Sequence, residues 1–207
     1  GSTKNTDPTH AQSDSDDEIH HQRSIVLAAV GDIMIHSPQF NGAYIQAEDR
    51  YDFNDNFTYI APYLLEADYA VANLETTLAG REYDGYSGYP LFNSPPEIVS
   101  ALENSGFNML STANNHSLDR GEEGIHNTIR HIEKGGLDFV GTARNEEEGD
   151  EAFVLFLNDL KIVFFAYTYG TNGLPIHAGK DYLVNLISEE KMDADIRKAK
   201  DELKADI

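Results

Sequence analysis

Ser111-Thr-Ala-Asn-Asn-His-Ser-Leu-Asp-Arg-Gly121 is the stretch on which the reading of this chain turns. It follows a short apolar run at 107–110 and precedes an apolar pattern of helical spacing at 122–134. The loop therefore lies at the carboxyl end of a predicted strand, where open α/β sheets bind their ligands. An amide pair, an imidazole and a carboxylate crowd into a few residues. An Asn carbonyl can ligate a metal, His can ligate one or donate a proton, and Asp can orient the His. The same residues also suit an Asn-rich turn with a helix N-cap. What the other strand ends carry decides between the two.

Working outward, three further apolar runs end in polar tips. Residues 24–30 form a continuous β-branched run of the kind buried in a parallel sheet, leading into Gly31-Asp32. Gly31 there permits a sharp turn, which puts Asp32 at the strand tip as a metal ligand or a capping loop residue. His36 follows four residues on, near the site or incidental to it. Residues 37–55 read as loop and 56–66 as a helix despite Pro62. A second strand at 69–73 ends in Asn73-Leu-Glu75, where Glu75 is a bridging carboxylate or an ordinary loop acid. The long loop 78–96 carries Tyr83, Tyr86 and Tyr89, which either line a groove or pack the loop onto the body. A helix to Asn104 and a strand at 107–112 lead to the opening motif. His126 and His131 on the next helix do not have the spacing of a ligand pair. A strand at 137–140 follows. A hairpin forms from 153–157 and 162–167 around Asn158-Asp159, and Tyr169 and Asn172 lie in the polar loop after it. Last comes an amphipathic helix over 188–205 with Ser188 as N-cap. The βα rhythm calls next for a strand starting at Ile207, so a sheet truncated at the C-terminus is expected. The missing strands would leave an edge open to pairing.

Composition narrows the function classes. The 207 residues carry a formal net charge of −21 without a long basic run, which argues against nucleic acid and anionic membrane as partners. With no cysteine there is no disulfide, thiolate metal site or cysteine nucleophile in this chain. No apolar run is long enough to span a bilayer, and no signal peptide is present. Gly1-Ser2 reads as a tag scar, and residues 1–23 as a disordered acidic tether. The adjacent His20 and His21 are left out of the site. The domain proper is expected over 24–207.

Asp32, Glu75, Asn115 and His116 each follow a different predicted strand, and neighbouring parallel strands bring such tips to one edge. Oxygen donors with an imidazole suit Mn, Mg, Zn or Fe. Two such ions, ~3.5–4 Å apart, activate water and clamp a phosphoryl group.

In order, Val30-Gly-Asp-Ile-Met34, Asn73-Leu-Glu75, Ala113-Asn-Asn-His-Ser-Leu-Asp-Arg-Gly121 and Tyr167-Thr-Tyr-Gly-Thr-Asn-Gly173 resemble the CapA/PgsA family of bacterial capsule (poly-γ-glutamate) biosynthesis proteins. The resemblance runs from about residue 24 to the end. That family is similar to the calcineurin-like metallophosphatases, which implies a metallophosphatase-like α/β sandwich with two divalent metal ions. Carried across, Asp32, Glu75 and Asn115 are the expected metal ligands, and His116 assists the transferring phosphoryl group. Asp119 orients His116, because Ser117 stands where metallophosphatases have an acid. Asn73, Tyr169 and Asn172 are the expected substrate contacts. Met34 departs from the pattern, since a His usually stands two residues after the first Asp. The family's later His motifs are expected beyond Ile207.

The resemblance implies a location at the cell surface, on the outer face of the membrane, with membrane contact only through an N-terminal anchor. It implies the capsule polymer or its precursor as substrate and a membrane polymer synthase and export complex as partner. Two functions follow: a metal-dependent hydrolase of a phosphoester or polymer bond, or a non-catalytic scaffold in that complex.

Overall fold

Four apolar segments assemble into one parallel sheet because each is too short to bury its faces alone. A computed structural model describes residues 23–207. The tether, the tag scar and the His20–His21 pair fall outside or, for the tether's last residue, at the very edge of the described residues. Strands β1 (Leu27–Ile33), β4 (Tyr69–Leu74), β5 (Met109–Ser111) and β6 (Asp138–Val140) pair in that order, all parallel. Between β1 and β4 come helix α1 (Ser37–Ala43), the two-residue strands β2 (Tyr44–Ile45) and β3 (Arg50–Tyr51), and the short helix α2 (Ala61–Leu64). Helices α3 (Ile98–Asn104) and α4 (Gly121–Lys134) precede β5 and β6. One sheet face carries Ala70, Ala72, Leu74 and Leu110, and packs on Leu64, Ile98, Leu102 and Ile132. On the opposite face the Tyr69 ring lies 5.8 Å from that of Phe164 in a second sheet. After α5 (Glu146–Asp150), that sheet consists of β7 (Phe153–Leu157) and β8 (Leu160–Phe164), antiparallel in register. Asn158 and Asp159 turn it with φ of 49° and 60°, the geometry of a two-residue primed turn. The final helix α6 (Glu189–Arg197) starts at Ser188, whose hydroxyl caps the Lys191 amide.

Several local expectations are corrected. Residues 37–55 are not all loop: Pro38 sits in the first turn of α1, and a β2–β3 pair follows. Residues 56–66 do not form one helix but a 3-10 turn over Asn54–Phe57 and then α2, with Pro62 near the start of the latter. Helix α6 also ends earlier than expected, at Arg197, and passes into a wider π-type turn over Lys198–Glu202. Strand β1 is not buried on all sides. It is at the end of the sheet, so Leu27 stays 41% exposed and Ala29 also faces out. Gly31 is not a turn. The strand runs through it, with a register irregularity between Ala29 and Asp32, and ends at Ile33. The chain's last residues lie along β8: Val163 N donates to Ile207 O at 3.0 Å and Asp206 N to Lys161 O at 2.8 Å.

Candidate acid–amide site at the strand tips

Parallel pairing places Asp32 directly beside Asn73, and Asn73 beside Ser111, so the carboxyl ends of three strands form one row. The amide side chains then lace the row together. Asn73 Nδ2 donates to Asp32 Oδ1 at 2.8 Å, and Asn114 Nδ2 donates to Asn73 Oδ1 at 3.1 Å and to Leu74 O at 2.8 Å. Asn114 Oδ1 accepts the His116 N–H at 3.0 Å, an Asx turn that sets the loop's path. Ser117 Oγ bonds Thr112 O at 2.6 Å, Asn114 O at 2.7 Å and Asn114 N at 2.8 Å. Ser117 thus closes the loop at the position where metallophosphatases carry an acid. The sequence motif points to Asn115, whereas the structure gives the bracing role to Asn114. Its near-complete burial, 6% exposed, could not be read from the sequence.

His116 is 5% exposed. Its Nδ1 lies 2.7 Å from Asp119 Oδ2, and its Nε2 lies 4.0 Å from Glu75 Oε1. Burial raises the Asp119 pKa, while the Phe92 amide and His116 pull it down. Glu75 is 8% exposed beside Asp32. Its pKa rises from 4.5 to about 7, first because it is buried, then because Asp32 shares a hydrogen bond and its negative charge; His116 opposes the rise. Two carboxyl groups this close hold a proton between them unless a cation replaces it.

The expected site residues fall into two groups. Asp32, Glu75, His116 and Asp119 come together, with Asn73 as the amide that braces Asp32. Asn115 is half-buried and faces Asn172, whose Oδ1 accepts from Asn115 Nδ2 at 3.3 Å. Asn172 also approaches His116 Nδ1 at 3.4 Å, from a left-handed backbone with φ of 53°. Tyr169 is 76% exposed and makes no side-chain hydrogen bond among the described residues. Of the loop tyrosines, Tyr86 packs on Phe40 and Tyr51, whereas Tyr89 is exposed. His36 lies near the site: its ring meets Phe92 at 5.0 Å, and Phe92 meets His116 at 4.7 Å. His126 and His131 are half-buried on α4, and neither bonds a residue of the strand-tip row among the described residues.

The donor chemistry fits a divalent ion in part. Asp32, Glu75 and Asn115 offer hard oxygens and His116 an imidazole nitrogen, and His116 is the basic group that opposes the negative charge on Glu75. Among the described residues, no three His, Cys, Asp or Glu side chains gather closely enough to hold a metal ion. No helix among them is long and apolar enough to cross a membrane.

A central parallel sheet with helices on one face, a second sheet on the other and an acid–amide–imidazole row at the strand tips define a metallophosphatase-like α/β protein. The chain belongs to the family of the bacterial capsule synthesis protein PGA_cap, which it matches over residues 26–207. It is 26% identical over 148 residues to the capsule biosynthesis protein CapA of Bacillus anthracis, covering 70% of this chain and 34% of that protein. It is 27% identical over 186 residues to the PGA biosynthesis protein CapA of Bacillus subtilis strain 168, covering 83% and 47% respectively. An uncharacterized Sinorhizobium fredii protein, y4sH, is 31% identical over 135 residues, covering 62% of this chain and 27% of that protein. The chain thus spans less than half the length of these relatives.

Proposed function

We propose that this capsule synthesis family member acts at the cell surface as a metal-dependent hydrolase on a phosphoester or on a bond of the capsule polymer. Poly-γ-glutamate or its precursor is the polymer of choice. The observation that carries the reading is the Asp32–Glu75 carboxyl pair, set beside the buried His116–Asp119 pair. Asp32, Glu75 and Asn115 would hold the metal, and His116 Nε2 lies 4.0 Å from Glu75 Oε1. A bound divalent ion supplies Lewis acidity and a more acidic water. The chain's own residues do the rest. Asp119 takes the Nδ1 hydrogen bond and steadies the doubly protonated ring, from whose Nε2 a proton passes to a leaving oxygen, returning His116 to the neutral form protonated on Nδ1. Asn73 keeps Asp32 from rotating, and Asn172 approaches the same His116 Nδ1 that Asp119 holds. The capsule polymer and a membrane synthase and export complex are the proposed partners, with membrane contact through an N-terminal anchor.

A second reading, a scaffold role in that complex, draws support from the lack of a three-ligand His, Cys, Asp or Glu group among the described residues. Manganese binding followed by electron spin resonance separates the two. The hydrolase reading expects bound manganese that is lost in Asp32→Asn and Glu75→Gln. It also expects manganese-dependent hydrolysis of an aryl phosphate that vanishes in His116→Ala. Neither binding nor turnover with manganese, zinc or iron sinks the hydrolase and leaves the scaffold.

A further inference from the structure

Asp119 Oδ2 accepts two hydrogen bonds. One comes from His116 Nδ1 at 2.7 Å and the other from the Phe92 backbone N–H at 2.6 Å. The second donor belongs to the far end of the 78–96 loop. The Phe92 ring is fully buried and meets the His116 imidazole edge-on, with centroids 4.7 Å apart. One loop residue therefore touches both members of the pair. Its amide fixes the carboxylate, and its ring limits the rotation of the imidazole.

Phe92 is itself held in place. Ser87 and Asn93 exchange both backbone hydrogen bonds, each 2.9 Å, and so close a small hairpin around it. Ser87 Oγ donates to Leu91 O at 2.6 Å and accepts from Arg120 Nη2 at 2.6 Å. Arg120 directly follows Asp119 and reaches back to the Asp119 carbonyl at 3.1 Å. Thr77 Oγ1 donates to Phe92 O at 2.6 Å and anchors the other end. The contacts form a closed circuit from Asp119 through Arg120, Ser87, Leu91 and Phe92 back to Asp119. Among the described residues Asp119 Oδ1, meanwhile, is buried without a partner, so none of them offers a second donor that would turn the carboxylate. Hydrogen bonds in such a circuit support one another, and losing one releases the rest.

We infer that Phe92 is a positioning residue for His116 and that the Ser87–Arg120 contact is the clamp that keeps it there. The clamp holds the imidazole in the tautomer with its proton on Nδ1, since an ionised Asp119 accepts only. Nε2 is then left free on the Glu75 side. The consequence for turnover rests on the hydrolase reading above; the tautomer itself does not.

The test is a two-bond proton–nitrogen correlation spectrum of histidine-labelled protein at about pH 8.5, with His116 assigned through His116→Gln. The wild type is expected to show an Nδ1-protonated ring. Ser87→Ala and Phe92→Leu are expected to give mixed tautomers, whereas Ser87→Thr, which keeps the hydroxyl, restores the wild-type pattern. Thermal melts of the same samples confirm that each variant is folded. A variant that melts lower yet keeps a pure Nδ1-protonated ring has lost only packing, and that result overturns the inference. So does a change seen in Asp119→Asn alone. If the wild type turns over an aryl phosphate, Ser87→Ala should lower kcat about tenfold with KM unchanged. If it does not, the hydrolase reading fails, and the spectra still decide the role of Phe92.

Discussion

Glu75→Gln offers a test of the carboxyl pair that needs neither substrate nor metal. In the folded chain Glu75 holds its proton up to about pH 7, against an ordinary 4.5, because it is buried and shares a hydrogen bond with Asp32. Between those values the folded state binds more protons than the unfolded one. Stability must therefore fall as pH rises across that window. It is highest below about pH 4.5 and has been lost once Glu75 ionises above about 7. At 1.36 kcal/mol per pKa unit, the loss amounts to roughly 3 kcal/mol. An amide does not ionise, so Glu75→Gln removes this component. The assay is urea unfolding of both proteins in a chelating buffer at about pH 5 and pH 8.5. We expect the variant to gain about 2–3 kcal/mol on the wild type between the two pH values. Manganese at the higher pH should narrow that gap by stabilising the wild type, as a ligand of the folded state does. Parallel pH profiles of the two proteins would refute the carboxyl pair and with it the main support for a cation site.

Three further changes probe the frame around the site. Asn93→Ala removes a fully buried amide that serves Ala79 N, Gly80 O and Gly85 O at 2.7 to 2.9 Å. It should cost about 3–5 kcal/mol in urea unfolding, because buried backbone groups lose their partners. Gly141→Ala puts a Cβ 2.6 Å from Ala113 Cβ and 2.8 Å from its backbone nitrogen, at φ of +113°. We expect a loss of about 2 kcal/mol or more and, since Ala113 begins the His116 loop, a changed His116 signal in the same spectra. Ser188→Ala removes the cap of an exposed helix and should cost about 1 kcal/mol, read as faster amide exchange in 189–197 alone.

Where patterning is local, the sequence is a good guide. Asn158-Asp159 between two apolar runs is a turn because both residues tolerate positive φ, and the hairpin forms around it, its second strand over Leu160–Phe164 rather than 162–167. Ser188 caps its helix as read. Residues 37–66 mislead because proline and polar residues are shared by loops and helix starts. Only packing on Phe40, Phe53 and Leu64 selects α1 and α2. Asn115 stands out in the motif, yet the buried neighbour Asn114 is the one that ties two strand tips together.

By itself, the sequence determined that acids, amides and a histidine follow successive strands, because strand and turn signals are local and parallel strands end on one edge. It also determined the family, since the motifs stand in its order across residues 26–207. Tertiary structure alone decided that β1 ends the sheet, which depends on strand order rather than on its apolar run. It alone brought Phe92 onto Asp119, a contact between segments 27 residues apart that no periodicity encodes. And it alone made Glu75 a proton-holding partner of Asp32, because burial and the distance between two carboxyl groups exist only once the strand tips are side by side.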